Sequence, residues 1–200
     1  MIRSLLVACA VAACGGAAGR SPAAPPPTVA PAAAMPASPP PVSPAPPDTD
    51  AAPPSAACAG DERRAFDFWL GRWRVHHGRT GEVVGSNTIS RAEGGCALVE
   101  RWRSARGTTG RSFTAWDPHA RQWVQHWVDA RGALIDLRGG PVDGAMVLTG
   151  RYAEPDGTES LLRGTWTPQE DGTVVQAFER STDGGATWST WFVGIYRRQP

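Results

Sequence analysis

The sequence predicts an all-β fold: about ten antiparallel strands in an up-and-down meander that closes as a barrel, preceded by a signal peptide and a disordered Pro/Ala-rich linker. Three observations predict it. Short runs rich in Val, Thr, Trp and Phe fill the chain from Asp61 to Arg198. They are punctuated every eight to twelve residues, roughly the spacing of a barrel or sandwich, by turn signals such as Gly78, Gly94-Gly95, Asp117-Pro118, Gly139-Gly140, Pro155-Asp156-Gly157, Asp171-Gly172 and Asp183-Gly184-Gly185. No segment of helical period is longer than two turns.

The first thirteen residues carry one positive charge at Arg3 and an apolar run from Leu5 to Ala13. That run is far shorter than the roughly 20 residues of a membrane span and reads as an export signal. Val11-Ala12-Ala13-Cys14 resembles the lipobox of bacterial lipoproteins, in which the cysteine is acylated and becomes the new N-terminus. Cys14 is then the lipid anchor, and a plainly cleaved secretory signal is the alternative. Gly15 and Gly16 lack the aspartate associated with inner-membrane retention, so the resemblance implies the outer membrane in a Gram-negative cell.

Residues 14 to 57 are expected to be the linker. From Arg20 to Ala57 the chain is almost entirely Pro, Ala, Ser and Thr, with 14 of the 19 prolines and no aromatic residue. Such a composition builds no core and favours extended polyproline II.

Residues 58 to 200 form the domain, which holds all nine tryptophans. The net charge of +1 suggests neither nucleic acid nor an anionic surface as a partner. The chain has no lysine, which removes Schiff-base chemistry and the P-loop lysine. In chain order the predicted strands run Trp69 to Val75, Glu82 to Ser90, Cys96 to Ser104, Thr109 to Trp116, Gln122 to Asp129, Ala133 to Arg138, Ala145 to Ala153, Thr158 to Thr167, Thr173 to Arg180 and Thr187 to Arg197. Closure removes the reactive edges of an open sheet, and a two-sheet sandwich is the alternative. Cys58 and Cys96 remain after the signal, and in an oxidising compartment they are expected to pair; two free thiols are the alternative.

Alternation selects the side chains that can line an interior. Trp123, Gln125, Trp127 and Asp129 share one face of their strand, and Val124, His126 and Val128 share the other. The tryptophan face is expected inside, because indoles with interspersed amide and carboxylate match a mostly apolar pocket. Indoles that simply fill the core are the alternative. Glu100 and Trp102 pose the same question on the third strand. Arg163 and Gln176 are candidate polar partners, since an inward Glu100 needs one.

No catalytic or metal constellation emerges. His76, His77, His119 and His126 lack metal-binding spacing, and neither G-x-S-x-G nor H-E-x-x-H occurs. Ser181-Thr-Asp-Gly-Gly-Ala-Thr-Trp188 matches the Asp-box of sialidases, but as a single copy it reads as a hairpin device.

The segment FDFWLGRWRV at 66–75, Gly95-Cys96-x-Leu98-x-Glu100-x-Trp102, Trp123-x-Gln125-x-Trp127-x-Asp129 and Ser181-x-Asp183-Gly184-Gly185-x-Thr187-Trp188 together resemble bacterial exported proteins of unknown function, near the family called domain of unknown function 1579. The resemblance implies a calycin-like barrel, similar to lipocalins and nitrobindin. It also implies a stack between Trp73 of the first strand and Arg197 or Arg198 of the last. A haem site of the nitrobindin type is expected to need a histidine late in the barrel, and none follows His126, so no cofactor is expected. The leading expectation is an envelope lipoprotein whose barrel binds a small, largely apolar ligand without catalysis. The alternatives are a barrel enzyme, hydrolase or isomerase, using Glu100 or Asp129, and a scaffold whose outer face binds a protein.

Overall fold

The computed structural model describes residues 55–154 and 156–200. The export signal, Cys14 and all but the last three residues of the expected linker lie outside the described residues. Ten strands, β1 (Gly71–His77), β2 (Val83–Ala92), β3 (Ala97–Ser104), β4 (Thr109–Asp117), β5 (Gln122–Asp129), β6 (Leu134–Val142), β7 (Ala145–Ala153), β8 (Glu159–Pro168), β9 (Val174–Ser181) and β10 (Ser189–Arg198), follow one another as antiparallel hairpins. β10 returns to β1, with Trp73 opposite Arg198 and Val75 opposite Tyr196, so the sheet is a closed barrel with no free edge. The other helical elements are single 3-10 turns at Ala56–Cys58, Asp61–Arg63, Asp67–Trp69 and Glu93–Gly95.

Aspartates make many of the reversals. Asp117 accepts from the amides of His119 and Ala120 at 2.9 and 3.1 Å, Asp129 from Arg131 at 2.8 Å, Asp156 from Thr158 at 2.9 Å and Asp171 from Thr173 at 2.9 Å. In the Asp-box, Asp183 accepts from the Thr187 amide at 2.9 Å and the Ser181 hydroxyl at 2.7 Å. Trp188 closes that turn by donating to the Gly185 carbonyl at 3.1 Å. Each carboxylate replaces a backbone acceptor locally, which is why the turn positions could be read from sequence.

Most strand ends fall within two residues of expectation, and two differences reshape the barrel. Trp69 does not begin β1; it ends the Asp67–Trp69 turn and is fully buried. The segment caps one end of the barrel. Phe66 stacks on Trp69 at 5.0 Å and meets Trp123 and Trp166 edge-on at 5.7 and 5.3 Å. Asp67 holds the cap in place through ion pairs with Arg64 and with Arg91 of β2. The second difference is β6, which runs on through Gly139-Gly140-Pro141. A Cβ on Gly139 would stand 3.1 Å from the Leu148 Cα, so glycine here permits close approach to β7 rather than a turn.

Cys58 and Cys96 are joined in a disulfide with Cα atoms 4.9 Å apart. Beside it, the Ser55 amide donates to the Gly94 carbonyl at 2.7 Å, which ties residue 55 to the domain ahead of Cys58. Arg198, rather than Arg197, stacks over the Trp73 indole at 4.4 Å, while its guanidinium donates to the Leu70 carbonyl at 3.0 Å. The Trp73 indole N–H in turn donates to the Trp69 carbonyl at 2.9 Å. Cap, first strand and last strand therefore share one joint.

Candidate functional site

The interior is filled at one end only. Phe66, Trp69, Trp73, Trp123 and Trp166 pack the capped end with Leu98, Leu137, Met146, Leu148 and Leu162, all essentially fully buried. Above this plug lies a cavity of about 500 Å³, which opens between the hairpin turns of the far end. Its wall is aromatic and aliphatic, with Trp102, Trp127, Ile135, Tyr152, Phe178 and Phe192.

Inward glycines keep this space open. A Cβ on Gly85 would come within 2.5 Å of the Trp102 ring, and one on Gly110 would come as close to the Trp127 ring. Each indole therefore lies flat across a neighbouring strand instead of projecting into the lumen. Size alone would have let the two rings fill this space; the glycines prevent it.

A β-bulge shapes the mouth. Pairing between β9 and β10 shifts between Thr190 and Phe192, and consecutive residues Trp191 and Phe192 both reach the cavity. Strict alternation would send one of them outward, and bulges commonly re-aim a side chain in this way. The Trp191 ring lies 5.3 Å from Tyr152 and 6.3 Å from Phe178, and it remains 46% exposed.

The floor is polar and continuous. The Glu100 carboxylate accepts from the Asn87 amide at 2.6 Å on one oxygen and from the Ser112 hydroxyl at 2.7 Å on the other. The same Asn87 nitrogen lies 3.4 Å from the Tyr196 hydroxyl, which donates to Gln176 Oε1 at 2.5 Å. Gln125 donates to Thr114 at 3.1 Å on the neighbouring wall. Burial pushes the Glu100 carboxyl up to about 7, with the Asn87 and Ser112 hydrogen bonds pulling less strongly the other way. Burial, followed by the Glu100 charge, holds the Tyr196 hydroxyl well above its ordinary range. The Asn87 Oδ1 is buried and accepts no hydrogen bond.

Glu100, Trp102, Gln125, Trp127, Asp129 and Gln176 all line this one cavity, and the tryptophan face of β5 is the inner one. Trp123 lies on the same face but deeper, in the plug, where it donates to the Glu62 carbonyl at 3.1 Å. Asp129 stands at the mouth and is occupied by its turn and by Arg131. Desolvation acts to raise its carboxyl, but the Ala133 and Arg131 amides and the Arg131 guanidinium together outweigh it and hold the carboxyl low.

The placement of Arg163 corrects the expectation that it partners Glu100. It sits on the outward positions of β8, bonded to Glu179 at 2.9 Å and stacked over Trp188 at 4.2 Å. The inward neighbours on that strand are Leu162 and Gly164, so alternation turns Arg163 away. Glu100 is met by neutral donors instead. Asn87, Ser112 and Tyr196 were not singled out from sequence, although each sits at an inward position that alternation could have identified.

Among the described residues no group of three or more His, Cys, Asp or Glu is placed to hold a metal ion. His126 faces outward against Asp136, and the cavity lining contains no histidine or cysteine. A second hollow, of about 630 Å³, is an open groove outside the β8–β9 turn, and none of its lining residues is buried. Compared with known proteins, the chain matches no protein-family model and no curated protein.

Proposed function

We propose that the barrel binds a small, largely apolar molecule in the open half of its interior and performs no covalent chemistry on it. The observation that carries this reading is the half-hollow lumen: an aromatic wall kept apart by glycines above a continuous polar floor. A volume of about 500 Å³ lies within the roughly 300 to 1,000 Å³ of small-molecule pockets, whose usual lining is apolar with a few fixed polar groups. A scaffold that acted only through its outer face would gain nothing from an interior kept open in this way.

The same reading takes the chain to be an exported lipoprotein. Residues 1–13 are its signal, Cys14 the anchor in the envelope membrane, and the Pro/Ala-rich segment the spacer from which the domain hangs. The reading also takes the domain to be a calycin-like barrel, for which the Trp73–Arg198 stack and the aromatic approach to the first strand speak.

Native mass spectrometry of the protein isolated gently from its own host, against the same material after denaturation, tests the binding reading. An extra mass released by unfolding is expected. A bare polypeptide mass, together with failure of any apolar dye to enter the lumen, would refute it.

One observation favours a second reading, an enzyme in which Glu100 is the acid or base. A carboxyl pushed up to about 7 inside a cavity is suited to proton transfer near neutrality. Asp129 fits that role poorly, since its oxygens are taken by the turn. Replacement of Glu100 by Gln with turnover unchanged would eliminate the assignment.

A further inference from the structure

Glu100 is a carboxylate in a closed barrel with no cation beside it. Its partners are Asn87 from β2 and Ser112 from β4, with Tyr196 from β10 and Gln176 from β9 completing the chain of hydrogen bonds. All four are neutral. The arginines in the lining, Arg106 and Arg131, belong to the mouth, and Arg131 is paired with Asp129. Ser104, which precedes the Arg106 turn, stands four positions along β3 from Glu100, a backbone span of about 13 Å at strand rise. Neither Arg106 nor Arg131 is a hydrogen-bond or ion-pair partner of Glu100, whose contacts are Asn87 and Ser112.

A buried carboxylate that lacks a counter-ion is costly unless something supplies one. Each Glu100 oxygen accepts a single hydrogen bond, which leaves acceptor capacity on both, and Glu100 lines the cavity. Above it stand the rings of Trp102, Trp127, Tyr152, Phe178, Trp191 and Phe192. Indole and phenyl faces attract cations and also accept apolar surface. Carboxylate below and aromatic walls around form the pattern that suits an ammonium with an apolar body.

Resting on the binding reading above, we propose that the ligand class is a small organic cation, a protonated amine with an apolar or aromatic body, whose ammonium donates to Glu100 while the body lies against the aromatic wall. Binding supplies the charge that the floor lacks. The neutral Asn87, Ser112, Gln176 and Tyr196 orient the carboxylate without competing for the cation. Affinity for an amine therefore rises as Glu100 loses its proton, whereas affinity for a neutral analogue does not change. The other charged groups of the lining, Asp129, Arg131 and Arg106, sit at the mouth and act on a cation far more than on a neutral analogue, but they are the same in wild type and Glu100→Gln, so that comparison isolates the floor.

Isothermal titration of the full-length chain with 4-phenylbutylamine, 4-phenylbutanol and 4-phenylbutyrate, which share a body and differ in the head, tests the proposal. At pH 8 the amine is expected to bind about tenfold or more tighter than the alcohol, with the carboxylate weakest. Glu100→Gln is expected to abolish that preference, bringing the amine down at least tenfold to the affinity of the alcohol. Should the variant fold poorly, the wild-type protein gives an independent reading: the amine preference should shrink between pH 8 and pH 5.5. Equal affinity for amine and alcohol, or tightest binding of the carboxylate, would overturn the cation and leave the binding barrel standing. Binding of none of the three at millimolar concentration would overturn both.

Discussion

Glu100→Gln should make the protein more stable in mild alkali. The Glu100 carboxyl is pushed by burial from its ordinary 4.5 up to about 7, so between those values the folded protein binds a proton that the unfolded chain has released. Stability then falls as pH rises through this window and levels off above it, the reverse of a salt-bridged acid. A shift of this size corresponds to about 3 kcal/mol in full, of which about 2.5 kcal/mol is lost between pH 5 and pH 8. For a domain of this length the change is on the order of 5 to 10 °C in melting temperature. Gln keeps an acceptor for Ser112, and Asn87 can rotate its amide so that the unpartnered Oδ1 accepts from the new amide. The variant should lose the decline and exceed the wild type at pH 8. Chemical denaturation of both proteins at pH 5, 6, 7 and 8 with the disulfide intact measures it. A wild-type stability that is flat or rising across this range, or a Gln variant that still declines, would refute the reasoning.

Three further outcomes follow from the same geometry. Replacing both Cys58 and Cys96 by Ser opens a loop with a separation of 38 residues, which in the chain-entropy model costs about 4 kcal/mol, readable as a lower denaturation midpoint. Arg198→Ala removes the stack on Trp73 and the bond to the Leu70 carbonyl and should cost about 1 to 2 kcal/mol in the same assay, against less than about 0.5 kcal/mol for Arg197→Ala next to it. Gly110→Val drives the Trp127 ring off the wall and into the lumen, so the apparent affinity for an apolar dye should drop while the circular-dichroism spectrum keeps its β character.

How much of this architecture was readable in advance depended on how local its causes are. The turns built on Asp117, Asp129, Asp156, Asp171 and Asp183 are made within a few residues, and so the strand count and most boundaries were visible in the sequence. Trp69 and Gly139 misled for the opposite reason. Trp69 packs on Trp166 and Tyr196 across the barrel, and Gly139 answers to the β7 backbone; both are tertiary causes with no local mark. The inward face of β5 was correctly anticipated because a period of two needs only a choice of sign. That Trp123 would plug the barrel while Trp127 would line a cavity depends on height along the axis, which alternation does not encode.

Arg163 shows what the missing counter-ion of Glu100 means physically. The sequence offered an arginine and a buried acid that required satisfying, and electrostatics alone would have paired them. The fold instead commits Arg163 to Glu179 and Trp188 on the outside, where solvent lowers the value of both contacts. Inside, it leaves the acid to amides and hydroxyls, which hold its orientation but do not neutralise it. An apolar substitution at position 100 would have removed the desolvation cost altogether and filled the floor. Retaining a carboxyl there, aligned from two sides and facing a space that glycines keep clear, makes the floor costly as core and serviceable as a recognition surface. The stability that Glu100 gives up at pH 8 is therefore recoverable by a bound cation. A phenylbutylamine-dependent rise in melting temperature at pH 8 that is reduced at pH 5 would tie the folding and binding roles of this one side chain together, and an equal rise at both pH values would separate them.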